Sequence, residues 1–213
     1  MLRRSLQGLA LAVAIGVGFP GPTAEATSLA ELTVEQKTDA STYIVRGQVE
    51  SIWSELDERG HVWTRALVDV SEVLKGPDQP DVLVVDTPGG KIGAEEVSIH
   101  LAARFSEGEE VLLFLAEVDF GRRLAPVAMA MGKYTVRRAP GETRHHLMQW
   151  SRSQEAYDHR FLPHPPAAER VYLDDLLDRV SQRLATGWEG DAIPGIAPER
   201  LIEINKPERR FRR

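Results

Sequence analysis

Two runs of alternating apolar and polar residues, one on each side of a turn, constrain this chain most. In the first, Tyr43, Val45, Gly47 and Val49 share one face, with Arg46, Gln48 and Glu50 on the other. After Asp57-Glu58-Arg59-Gly60, Val62, Thr64, Ala66, Val68 and Val70 face one way, with Arg65, Asp69 and Ser71 opposite. Successive side chains leave a strand on opposite sides, so a period of two marks a strand with one covered face. Two such runs around a turn predict a long antiparallel hairpin. Gly47 offers no side chain to pack and predicts a bulge or sharp bend.

Further strands follow. Lys75-Gly76-Pro77 ends the second run, and Val82–Val85 and Val111–Ala116 are continuously apolar. Such runs predict strands covered on both faces, with Phe114 inside the second. Pro88-Gly89-Gly90 opens a loop that carries His100, and turns at Ser106–Gly108, Asp119–Gly121 and Pro140-Gly141 separate candidate strands at 124–131, 133–138 and 143–150. Thr33-Val34-Glu35-Gln36 has the form of a capping box and predicts a short helix to about Ser41. Many strands joined by turns, with few helices, point to a small antiparallel barrel or sandwich.

The two ends differ from this middle. Arg3 and Arg4 precede an apolar run from Leu6 to Phe19, then Pro20-Gly21-Pro22 and Ala24-Glu25-Ala26. That is the layout of a cleaved secretory signal over 1–26, with Thr27 as the expected new N-terminus and no membrane span afterwards. The expected location is therefore secreted or periplasmic. Residues 151–170, rich in Pro and His, read as a linker. Leu173, Leu176, Leu177, Val180 and Leu184 recur at helical spacing. Asp174 and Asp175 in the first turn, Arg183 near the last and Gly187 beyond it suit a helix over 171–187. Residues 188–213, with few apolar positions and a basic end, read as a disordered tail.

The order of motifs resembles a known family. Asp39-Ala40 precedes Tyr-Ile-Val-Arg-Gly-Gln-Val at 43–49; Val-Leu-Lys-Gly-Pro follows at 73–77, Asp-Thr-Pro at 86–88 and Gly-Glu-Glu-Val-Leu-Leu-Phe-Leu at 108–115. This series, over about 33–138, resembles the netrin-like domain, including the N-terminal domain of tissue inhibitors of metalloproteinases, and looks still more like a group of bacterial secreted proteins. The resemblance implies an OB-type five-stranded barrel; taken with the strands and helices read above, the expected fold is mainly β, with residues 27–150 as a five- to six-stranded antiparallel OB-like barrel between a short N-terminal helix and a C-terminal helix. In that family the amino group and carbonyl of a disulfide-held N-terminal cysteine chelate the protease zinc. This chain has no cysteine, so only the α-amino group and carbonyl of Thr27 remain for such a contact. Without a disulfide that segment lacks the preorganisation on which such affinity depends.

The absence of cysteine also removes disulfides, thiolate metal sites and a cysteine nucleophile. With 26 Lys and Arg against 32 Asp and Glu, nucleic acid is not the expected partner. There is no Gly-x-Ser-x-Gly, no His-Glu-x-x-His and no full phosphate loop; Gly89-Gly90-Lys91-Ile92-Gly93 lacks the spacing and the following helix. The leading expectation is a non-enzymatic binding protein without a cofactor, whose partner is another exported protein, such as a metalloprotease. OB barrels bind along one face and its flanking loops. The expected contacts are Thr27, Trp53, Asp57, Glu58, Trp63, Gly89, Gly90 and Lys91, in or beside the 54–61 turn and the 88–100 loop. Trp53 and Trp63 fall about opposite each other across the turn, as a cross-strand pair or a patch for a partner or sugar. Two alternatives stay open: a periplasmic metal-binding protein or hydrolase using His145, His159 and His164 in the 145–164 cluster, and a carbohydrate- or envelope-binding module.

Overall fold

Both alternating runs become strands of 14 residues, β1 (Tyr43–Leu56) and β2 (Val62–Lys75). The fold is that of a computed structural model, which describes residues 32–119, 121–149 and 171–206. The expected signal segment, Thr27, His159 and His164 lie outside the described residues. Before β1 comes helix α1 (Val34–Ala40). Its capping box forms as the sequence predicts: Thr33 Oγ1 accepts from the Gln36 amide at 3.2 Å, and Gln36 Oε1 accepts from the Thr33 amide at 2.9 Å.

The hairpin is bent. Its register breaks between Ile44 and Val45, between Arg46 and Gly47, and between Val49 and Ser51. At Gly47 a Cβ would fall 2.3 Å from the carbonyl oxygen of Asp69, so glycine is required where the strands cross. Each break adds local twist. The early half of β1 then pairs on its other edge with β6 (Glu110–Val118), from Tyr43↔Leu115 to Gln48↔Glu110.

The remaining strands are β3 (Val82–Pro88), the small hairpin β4 (Gly90–Ile92) with β5 (Glu95–Val97), β7 (Arg123–Pro126), β8 (Lys133–Arg137), β9 (His146–Met148) and β10 (Val171–Tyr172). Helices α2 (Leu173–Thr186) and α3 (Pro198–Ile204) follow. Eight strands make one antiparallel sheet in the order β10-β9-β8-β6-β1-β2-β3, with β7 also on β6. The mainly β expectation holds. The hydrogen-bond path is open, however: β3 and β7 lie side by side with no ladder between them. None of the described helices is long and apolar enough to cross a membrane.

The core lies on both sides of β6, which explains the continuous apolar run. Leu112 and Phe114 point into a cluster with Ile44, Leu176, Val180 and Leu201 beneath the helices. Val111, Leu113 and Leu115 point into a second cluster with Val45, Val68 and Val85. The run at 82–85 behaves differently. Leu83 and Val85 are buried, but Val82 is 45% exposed, because β3 ends the hydrogen-bonded path and only one of its faces is covered there.

Beyond Gly187 the chain departs from the expected disorder over 188–213. Trp188 and Ile196 pack against the helix-side cluster, and Ile193, Leu201 and Ile204 are buried. Proline opens α3 at its first turn, where its missing amide costs nothing. Residues 207–213 lie outside the described residues.

Candidate functional site

At the far end of the hairpin, Asp57 builds the turn. Its Oδ1 accepts from the amides of Arg59 at 2.9 Å and His61 at 2.8 Å. Its Oδ2 takes the indole Nε1–H of Trp63 at 3.2 Å and lies 3.2 Å from His61 Nδ1. Desolvation pushes this carboxyl up, but the donors from His61, Trp63 and Arg59 outweigh it and hold its pKa down at about 2. The Asp57 amide closes the loop onto the His61 carbonyl at 2.9 Å. The turn is thus five residues long, Asp57–His61.

That length corrects the expected tryptophan pair. Trp53 stands opposite Arg65, and Trp63 opposite Glu55. The two indoles are diagonal neighbours on one face. Trp53 is 38% exposed, with its Nε1–H 3.4 Å from Glu55 Oε2. Trp63 instead carries the Arg123 guanidinium on its ring, at 4.5 Å from the centroid.

Arg123 belongs to a charge network that sequence reasoning missed. Asp86 on β3 is 3% exposed and accepts from Arg65 Nε at 3.1 Å and Arg123 Nη1 at 2.7 Å. Arg65 also reaches Glu55 at 3.1 Å, and Arg123 lies 3.9 Å from Asp119. The Asp86–Arg123 pair spans the gap between β3 and β7, and Arg65 reaches Asp86 from β2. Read alone, Arg65 is an ordinary outward-facing strand residue. Its partners come from two other strands, and only the register Arg65↔Asp86 brings the first of them beside it.

The β4–β5 hairpin crosses the β1–β2 ribbon at the same end. Thr64 Oγ1 donates to the Gly89 carbonyl at 2.8 Å, and the Lys91 amide donates to Ser54 Oγ at 3.2 Å. A Cβ on Gly90 would fall 2.4 Å from Thr64 Oγ1 and 2.5 Å from Ser54 Oγ, at a φ of +142°. The two glycines therefore serve a close backbone approach. Lys91 is exposed and faces Glu96 across the small hairpin. Glu58 is exposed on the turn.

A cleft of about 290 Å³ lies between the β1–β2 turn and the β6–β7 turn, with Glu55, Leu56, Asp57, Arg59, Arg122 and Arg123 among its walls. Of the large apolar side chains exposed among the described residues, Trp53 and Leu56 belong to the β1–β2 hairpin, Val97 to the β4–β5 hairpin and Ile99 to the chain just after it.

The histidines are arranged otherwise. His145 is half-buried, and its carbonyl accepts from the Leu173 amide at 3.0 Å, where α2 begins. His146 Nδ1 stands 3.7 Å from Glu142 Oε2. Among the described residues there is no group of three or more His, Cys, Asp or Glu placed to hold a metal. No family model, curated protein or solved structure matches this chain.

Proposed function

We propose that this protein is an exported, non-enzymatic binding protein whose hairpin end engages another exported protein, with a metalloprotease as the first partner to try. The observation that carries this reading is the coincidence at one end of three things. Exposed apolar side chains of both hairpins gather there. A polar cleft adjoins them. Both hairpins are pinned by hydrogen bonds and close glycine contacts. Interfaces combine apolar anchors with a polar rim, and a surface already held in shape loses less freedom on binding. In this reading the sheet works as an OB-type barrel. Asp86 and Arg123 close its seam with side chains where backbone pairing is absent, and Arg65 holds Asp86 from β2.

The test is site-specific photo-crosslinking of the protein in its own secretome. A crosslinker at Glu58 or Lys91 is expected to give one discrete protein adduct, and one at Glu72, outside the two hairpin tips, none. Equal adducts from all three positions, or none from any, would overturn the proposal. If the partner is a zinc protease, inhibition should survive extension of Thr27 by one alanine, because the hairpins rather than the terminal amine make the contact. Inhibition lost on extension would return the mechanism to the N-terminus.

A further inference from the structure

Resting on the hairpin-end reading, we infer that the cleft between the β1–β2 and β6–β7 turns binds an acidic peptide segment of the protein partner. A carboxylate of that segment sits between Arg59 and Arg122, and a neighbouring apolar side chain lies on Leu56.

The partner's chemistry follows from which charges in the cleft are already committed. Glu55 is held by Arg65 at 3.1 Å. Asp57 receives the Arg59 and His61 amides and the Trp63 indole. Asp119 is 3.9 Å from Arg123. Arg65 and Arg123 are both drawn to Asp86. Arg59 and Arg122, one from each turn, line the cleft and are exposed. Among the described residues, neither guanidinium has an ion pair or a side-chain hydrogen bond. Glu58, beside Arg59, is the one acid of the cleft with neither an ion pair nor a hydrogen bond among the described residues, so two guanidiniums stand without a carboxylate partner against one such acid.

A guanidinium offers a flat fork of donors that matches a carboxylate, and two forks on separate turns favour a ligand that reaches between them. Leu56 lines the same cleft and is 56% exposed. It supplies the apolar contact that a free inorganic anion could not use. An exposed ion pair alone is weak and screened by salt. The segment therefore needs both contacts, and its affinity must fall as salt rises.

The experiment uses the purified exported protein and two probes, N-acetyl-Leu-Glu-Leu-Glu-amide and its Gln-for-Glu counterpart. Binding is read from the arginine Nε–H resonances and from indole fluorescence. The acidic peptide is expected to shift Arg59 and Arg122 saturably and to bind at least tenfold tighter than the amide peptide. Arg59→Gln and Arg122→Gln should each weaken it about threefold, and the double variant about tenfold. Arg138→Gln, exposed on another part of the chain, should leave it unchanged. Glu58→Gln, which removes the competing carboxylate, should strengthen it. Because both arginines are exposed, unchanged unfolding midpoints separate lost binding from lost folding.

Equal affinity for the two peptides, indifference to the double variant, or tighter binding of inorganic phosphate than of the acidic peptide would overturn the inference. Failure here with crosslinks from Glu58 intact would leave the hairpin end as a binding surface and remove only its acidic ligand. Peptide binding with no crosslinks would support the cleft chemistry and overturn the protein-partner reading.

Discussion

Under α1, α2 and α3, buried charged side chains tie one element to the next, whereas at the hairpin end a buried pair, Asp86 with Arg123, stands beside two exposed and untied arginines, Arg59 and Arg122. Lys75, at the end of β2, is 4% exposed. Its Nζ donates to the Thr38 carbonyl at 2.8 Å and to Asn205 Oδ1 at 3.3 Å, joining β2, α1 and the residue after α3. Asp39 is equally buried and takes the Arg183 fork of α2, with Nη2 at 2.8 Å. A buried polar group left without a partner is expensive, so such a region has little freedom to change partners. Exposed pairs are worth little, so a hairpin end can leave Arg59 and Arg122 uncommitted at small cost. The helix-covered face thus fixes its buried charges in place, and the hairpin end leaves two guanidiniums free to take a ligand in the reading proposed above.

The sharpest way to break that contrast is to damage the covered face. Phe114→Ala removes a fully buried ring that meets Tyr134 edge-on at 6.0 Å between centroids. It should cost about 3–5 kcal/mol in denaturant unfolding. A loss under about 1 kcal/mol would mean that the face under the helices is not the main core. Next in size is Arg183→Met, which leaves the Asp39 carboxylate buried without its partner. About 3 kcal/mol is expected, since breaking a buried pair from one side strands the other charge. Wild-type stability in this variant would show that the ion pair does not hold α2 onto α1.

The contrast also separates what was legible in the sequence from what was not. The capping box at Thr33, the β1–β2 hairpin, the bulge at Gly47 and the doubly covered strand around Phe114 all rest on local patterns. So does α2, whose Leu173, Leu176 and Val180 are buried as their spacing predicts. Features that join distant segments were not legible. Residues 188–206 show only sparse apolar positions, and what orders them is partners far back in the chain, Asp39 and Lys75 among those of Asn205. The turn was misjudged by length: a carboxylate that gathers two amides and an indole makes it five residues, and that offset separates the tryptophans. At the candidate site the turn residues were foreseen. Arg65, Asp86, Arg122 and Arg123 were not, because three separate strands and a turn converge there, and no spacing within one segment announces it.

Damage to the hairpin end should be milder. Gly90→Ala places a methyl against Thr64 and Ser54 at a backbone angle that favours glycine. We expect about 1–3 kcal/mol of destabilisation, with amide exchange quickening first in β4 and β5 and not in α2. Uniform quickening across the sheet would show that the small hairpin is part of the core and not an attachment to it.

The smallest effect concerns Asp57 and acid. Its carboxyl titrates at about 2 in the folded chain, against about 3.9 for an unstructured aspartate. A depressed folded value contributes stability that is complete above the unfolded value and is lost as pH falls from about 4 toward 2. Asp57→Asn cannot titrate. Its one carbonyl oxygen can still accept from the Arg59 and His61 amides, but its amide nitrogen would meet the Trp63 indole, another donor. The variant should therefore be less stable than wild type above pH 5, and the two stability curves should converge as pH approaches 2. Other depressed carboxyls, Glu35 and Asp174, are present in both proteins and drop out of the difference. Chemical denaturation at pH 2, 3, 4 and 6 reads this directly. Curves that stay parallel over that range would show that the turn does not draw on the Asp57 charge. The hairpin end would then be held by its glycines and backbone alone.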